Sequence, residues 1–173
     1  QPGGTADNSP AHSSGSAVLE QAWRANLGQG SGDRSQIAAP PVIADGNLYF
    51  LDGSHRLQAV RASDGRRLWS EQLRPSEGRD RNARGGGVAA NGGRVYVTTG
   101  FGFIAAFDGQ SGDEIWRTQA DAPFQSAPTV SGTRVYAITN DSELMAFDIG
   151  TGEVNWTHQA IAEPARILSA PSV

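Results

Sequence analysis

Ala106-Phe107-Asp108-Gly109-Gln110-Ser111-Gly112-Asp113-Glu114-Ile115-Trp116 is answered 40 residues later by Ala146-Phe147-Asp148-Ile149-Gly150-Thr151-Gly152-Glu153-Val154-Asn155-Trp156. Both stretches read A-x-D-x-x-[ST]-G-x-x-x-W. An earlier one, Ala59-Val60-Arg61-Ala62-Ser63-Asp64-Gly65-Arg66-Arg67-Leu68-Trp69, keeps the Ala, the Gly and the Trp, with Arg61 and Asp64 at the other marked places. Repetition at a fixed period is the mark of an array of like structural units. Within each copy an apolar run ends in turn-forming residues, and an aromatic run follows the Gly.

The agreement extends outward. Trp69, Trp116 and Trp156 are spaced 47 and 40 residues apart, and Tyr49, Tyr96 and Tyr136 keep the same two spacings, as do Gly65, Gly112 and Gly152. The units cover about 37–71, 85–118 and 125–158, and Ser169-Ala170-Pro171-Ser172-Val173, matching Ser126-Ala127-Pro128-Thr129-Val130, opens a further one. Each unit reads as four short runs rich in Val, Ile, Tyr, Phe and Trp, bounded by Gly, Asp, Asn and Ser, which is the pattern of short strands. Asp45-Gly46, Asn91-Gly92 and Ser131-Gly132 are expected to turn the first strand into the second. Four antiparallel strands per period of about 40–45 residues predict an all-β fold, a β-propeller of four-stranded blades. A single blade buries neither face, so neighbours must stack. The Trp of each unit is therefore expected between blades, and Asp108 and Asp148 as turn-capping residues.

Composition narrows the function. The 173 residues carry 14 basic side chains, all Arg, against 18 acidic ones, a net charge of -4. A nucleic-acid binder would show a basic surplus. With no Cys there is no disulfide, zinc finger or thiol nucleophile. His12, His55 and His158 are scattered, no apolar run approaches the roughly 20 residues of a membrane span, and no Ser-nucleophile motif is present. Gly85-Gly86-Gly87 lacks the Lys-Ser/Thr that a P-loop needs.

Residues 1–16, all small or polar, read as a flexible tether. The run Ala22-Trp23-Arg24-Ala25-Asn26-Leu27 resembles the last strand of a unit whose other strands are missing, and in closed propellers such a strand commonly completes the final blade. Propellers close with about four to eight blades, so three units and part of a fourth predict the N-terminal piece of a longer ring. The segment 74–87, with four Arg against two acids, is either a partner or anion patch or, on its Gly and charge content, a solvated insertion.

The A-x-D-x-x-[ST]-G-x-x-x-W ending resembles the tryptophan-docking repeat of the quinoprotein (PQQ-type) propellers, which usually have eight blades. Within that superfamily the chain, over about residues 20–173, resembles the BamB-like outer-membrane assembly factors. The marks are the polar tether, the Ala22-Trp23 run with Gly28-Gln29-Gly30-Ser31-Gly32 behind it, the three units in order, and the loop ahead of Ser169-Ala170-Pro171. The resemblance implies a non-catalytic periplasmic lipoprotein without cofactor or metal. Its lipid anchor would lie upstream of Gln1, and it would bind the periplasmic domains of the barrel-insertion protein and nascent outer-membrane proteins. In that family a short loop of apolar residues and an Arg contacts the partner. The corresponding residues here are Arg166, Ile167 and Leu168, in Pro164-Ala165-Arg166-Ile167-Leu168. The competing reading is that Ile167 and Leu168 begin a strand and pack inward. The other activity the superfamily implies is a PQQ- and Ca²⁺-dependent dehydrogenase, for which no acidic calcium cluster is evident in the sequence.

Overall fold

The computed structural model describes residues 20–25, 28, 39–75 and 85–159. Twelve strands among them form three four-stranded antiparallel sheets. Blade one consists of β1 (Val42–Ala44), β2 (Asn47–Leu51), β3 (Arg56–Arg61) and β4 (Arg67–Gln72), in that spatial order. Blade two is β5 (Gly86–Asn91), β6 (Arg94–Thr99), β7 (Phe103–Asp108) and β8 (Glu114–Gln119). Blade three is β9 (Thr129–Ser131), β10 (Arg134–Ile138), β11 (Glu143–Asp148) and β12 (Val154–Gln159). The first strands of neighbouring blades contact one another, β1 with β5 and β5 with β9, so these strands form the inner rim and β4, β8 and β12 the outer one.

Each blade is a meander whose register its turns set. The turn of blade one is Asp45-Gly46, as the sequence implies, because Ala44 pairs with Asn47. In the other two it lies one residue later than expected. Asn91 pairs with Arg94 and Ser131 with Arg134, so Gly92-Gly93 and Gly132-Thr133 make the corners. Asn91 and Ser131 end their strands rather than turn them. All three blades carry a register shift at one motif position, after Ala59, Ala106 and Ala146. There the chain leaves its third strand and enters the Trp strand with added twist.

Side chains alternate across each sheet, and blade two is buried on both faces. Val95, Val97, Phe103, Ala105 and Phe107 meet Tyr49, Leu57, Ala59 and Trp69 of blade one. On its other face Tyr96, Ile104, Ala106 and Trp116 meet Val135, Ala137, Met145 and Phe147 of blade three. Each core thus lies between sheets, as stacking of one-blade units requires. Every residue of β12 is exposed. The four residues of the Ala22-Trp23 run that are described, Ala22 to Ala25, form no strand. No neighbouring strand offers a ladder to them among the described residues, and the rest of the run, 26–27, lies outside those residues.

Candidate functional site

The recurring device of the structure is a tryptophan socket. The indole of Trp69 in blade one lies on Gly112 of blade two, so closely that a Cβ at Gly112 would stand 2.7 Å from Trp69 Cδ2. Its Nε1 donates to the Gly109 carbonyl at 2.9 Å. Trp116 repeats this one blade on, over Gly152, with Nε1 donating to the Ile149 carbonyl at 3.2 Å. Trp23 repeats it one blade back, over Gly65, donating to the Ala62 carbonyl at 2.8 Å. Ala62, Gly109 and Ile149 occupy one motif position, so three tryptophans make one joint. Trp156 does not. It is 38% exposed where Trp69 and Trp116 are 8%. No blade lies beyond blade three among the described residues.

The motif carboxylates are spent on turns. Asp108 Oδ1 accepts the amides of Gln110 and Ser111 at 2.9 and 2.8 Å, and Asp148 Oδ1 those of Gly150 and Thr151 at 2.8 and 3.0 Å. These amide bonds hold both carboxyls below the usual carboxylate range. In blade one Arg61 replaces the Asp, and the cap moves to Asp64, which accepts the Arg66 amide and pairs with Arg61 at 3.2 Å. Asp64 is lowered too, first by that amide.

The turn from β2 to β3 in blade one holds a cluster that sequence reading missed. Asp52, 8% exposed, accepts at Oδ1 from the Ser54 amide, the Ser54 hydroxyl and the Arg56 amide. Its Oδ2 accepts from Gln58 Nε2 at 3.0 Å, and the chain at Gly28 passes directly against both side chains. Thr99 and Thr139 cap the same turn in the other blades through their hydroxyls, which bond to the amides of Phe103 and Glu143. The signal was available, as Asp52, Thr99 and Thr139 keep one repeat position. Asp52→Ala would remove the acceptor of the Ser54 and Arg56 amides and of Gln58 Nε2, and is expected to cost about 1–3 kcal/mol in urea denaturation, with Asp52→Asn nearer wild type.

His55 follows in the same turn at φ 62°. Its ring stands edge-on to Phe101 of blade two, 4.7 Å between centroids. Its pKa is lowered, first by burial and then by Arg74, against a smaller opposing pull from Asp52. The unfolded chain therefore binds a proton at His55 more readily than the folded one. This contribution is whole above a pH of about 6.5 and is lost as pH falls toward the depressed folded value. His55→Asn, which tolerates the left-handed backbone, is expected to flatten the decline of stability between about pH 6.5 and 5, read from urea midpoints across that range. Phe101 is half-buried in this contact and Phe103 is core.

On the outer side, a groove of about 160 Å³ between blades one and two is lined by Glu71, Leu73, Phe107, Gly112, Asp113 and Arg117, among others. In the next seam Thr118 Oγ1 closes the matching place by donating to the Gly152 carbonyl at 2.6 Å. Glu71, at the same motif position, has no proton to donate as a carboxylate, and that seam stays open.

Arg166, Ile167 and Leu168 lie outside the described residues, as do the tether 1–16, the segment 76–84 and the start of a further unit at 169–173. The corresponding passage between blades two and three is described. There Phe124 is buried edge-on against Phe147, while Asp121, Pro123 and Gln125 face solvent. It is tied down by Gln125 N–H donating to the Ile138 carbonyl and Asn140 N–H to the Pro123 carbonyl.

A family model described as "Outer membrane protein assembly factor BamB" matches residues 13–81 and 76–173. The chain belongs to the BamB family. The BamB of Escherichia coli strain K12 is 30% identical over 112 residues, 63% of this chain and 28% of its own length. The crystal structure of BamB from Moraxella catarrhalis superposes with a TM-score of 0.61 at 24% identity, over 80% of this chain and 39% of that one. A quinohemoprotein alcohol dehydrogenase, ADHIIG of Pseudomonas putida HK5, superposes with a TM-score of 0.65 at 25% identity, over 79% and 22%. The chain thus spans under a third of the E. coli BamB. The Trp sockets and Asp-capped turns set out above are the blade framework of a BamB-like propeller section.

Proposed function

We propose that the chain is part of a non-catalytic scaffold of the outer-membrane barrel-assembly machinery, on the periplasmic side of that membrane. It would bind the periplasmic domains of the barrel-insertion protein and aid assembly of nascent outer-membrane proteins, with a lipid anchor upstream of Gln1. The observation that carries this reading is the match of the BamB family model across both halves of the chain. The use of the motif residues agrees with it. Each motif Asp caps a turn and three of the four Trp fill sockets, so the repeat builds blades and leaves its interblade loops to do the work.

Aligning Ser169 with Ser126 puts Arg166 at the place of exposed Pro123, Ile167 at that of buried Phe124 and Leu168 at that of exposed Gln125. This register favours Arg166 and Leu168 as the partner contacts and Ile167 as the anchor of the loop. An Arg flanked by apolar side chains is the usual composition of an interface centre. Titrating the purified periplasmic domains of the barrel-insertion protein against this chain is expected to give saturable binding, weakened about tenfold or more by Arg166→Glu. Unchanged affinity in that variant removes Arg166 from the interface. No binding by a folded, longer version removes the scaffold reading.

The dehydrogenase likeness favours a second reading, a section of a PQQ-dependent enzyme. Among the described residues no three His, Asp or Glu side chains are placed to hold a metal ion, and the acids of the motif are already occupied by turn amides. These residues do not fit a calcium–quinone site. Dye-linked oxidation of an alcohol with added PQQ and Ca²⁺ is the assay that would revive it.

A further inference from the structure

The turn that joins the third strand of each blade to the fourth recurs three times, and in blade one its charge is inverted. There it carries Arg61, Asp64, Arg66 and Arg67. The same stretch holds Asp108, Asp113 and Glu114 in blade two, and Asp148 and Glu153 in blade three. Three Arg with one Asp thus stand where the neighbouring blades carry acids alone. Asp64 is committed within the turn, to the Arg66 amide at 3.0 Å and to Arg61 Nη1 at 3.2 Å. Arg66 and Arg67 are exposed, and neither enters an ion pair among the described residues. Their exposure belongs to the turn and not to the end of the array. Asp113 and Glu114 hold the same positions in blade two, which is packed on both faces, and they are exposed as well.

The N-terminal side of the chain meets the fold at this turn. The Trp23 ring rests on Gly65, and its Nε1 donates to the Ala62 carbonyl, so it docks between Arg61 and Arg66. We propose that the β3–β4 turn of blade one rests against an anionic phospholipid surface, through Arg66 and Arg67 with Arg61 beside them. This inference rests on the reading above through the lipid anchor upstream of Gln1, which brings a bilayer to the side of the fold where Trp23 sits. An Arg close to an anionic bilayer is worth about fivefold in partition, and a basic patch is a common second signal beside a lipid chain. The net charge of -4 does not cancel the attraction, because charges more than about 10 Å from the surface are largely screened. The acidic turns of blades two and three are repelled by the same surface. The charge pattern therefore also sets an orientation, with blade one at the membrane and the other two turned away from it.

The chain has no Cys, so a single Cys added ahead of Gln1 can be coupled to one myristoyl-length chain, whose own membrane binding is marginal and reversible. Partition is read by co-sedimentation with vesicles of phosphatidylcholine, with and without phosphatidylglycerol. Binding about tenfold tighter to the anionic vesicles is expected at about 0.1 M salt, fading toward 1 M. Arg66→Glu combined with Arg67→Glu is expected to abolish the preference with circular dichroism unchanged. Arg56→Glu combined with Arg134→Glu changes the net charge equally at exposed positions elsewhere, and is expected to keep most of it. Equal partition on the two kinds of vesicle overturns the proposal and leaves the turn to an acidic protein segment. A preference that survives the Arg66 and Arg67 pair, or is lost equally in the other pair, overturns it too. The lipid is supplied and no barrel-insertion protein is present, so these outcomes and those of the scaffold titration are read separately.

Discussion

Trp116→Ala is expected to lower the unfolding free energy by about 3–5 kcal/mol, while Trp156→Ala costs about 1 kcal/mol. The two residues share a motif position and differ in what lies beyond them. Trp116 is 8% exposed, sits on Gly152 and donates to the Ile149 carbonyl. Removing it vacates a site between two sheets that cannot collapse toward each other, because β5 and β9 already hold their spacing at the inner rim. The Ile149 carbonyl also loses one of its two donors, keeping Arg94 Nη1 at 3.1 Å. Among the described residues Trp156 rests on its own sheet beside Tyr136 and is 38% exposed. Its removal vacates no seam between described blades. Urea denaturation of both variants at low concentration, compared at equal m-values, reads the difference. Equal losses at the two sites would mean that the Trp stabilises its own blade rather than the seam, and the stacking account would fail.

The same contrast marks how far the sequence can be read. Periodicity revealed the blades, because strand alternation and turn residues are local and each repeats three times. It also placed Trp69 and Trp116 between blades, since a sheet with two apolar faces has nowhere else to bury an indole. For Trp156 the expected neighbour is the unit that opens at Ser169, which lies outside the described residues. The corners at Gly92-Gly93 and Gly132-Thr133 were missed by one residue. Either of two adjacent pairs can turn a hairpin, and the ladder beyond decides which one does. The Asp52 cluster escaped notice because its capping role is performed by Thr in the other two blades, so the acid of blade one does not recur at that position. His55 escaped for another reason. Its contacts are with Phe101 and Arg74, which lie 46 and 19 positions away in the chain, and the seam that joins them exists only once blades one and two are stacked.

Gly112→Ala is expected to destabilise by roughly 3–5 kcal/mol, whereas Gly132→Ala costs only about 1 kcal/mol. Both glycines have positive φ, +81° at Gly112 and +58° at Gly132, so the backbone strain of an added Cβ is similar at the two positions. What differs is the space in front of them. Nothing lies within 4 Å of a Cβ at Gly132, while at Gly112 it meets Trp69 Cδ2 at 2.7 Å and two more ring atoms at 2.9 Å. The indole cannot slide away, because Nε1 is held by the Gly109 carbonyl and its ring is held beside Tyr49, whose hydroxyl donates to that same carbonyl at 3.1 Å. Either the Trp69 hydrogen bond breaks or blades one and two part by several tenths of an ångström, and a close-packed seam gives up many dispersion contacts for such a gap. Thermal melts of the two variants beside wild type measure this, and a third separates the causes. Gly112→Ala combined with Trp69→Ala is expected to be more stable than the sum of the single losses predicts, because the Cβ then meets space. If the two losses instead add in full, the glycine acts through its backbone alone, and the Trp socket is not the joint that holds blade one to blade two.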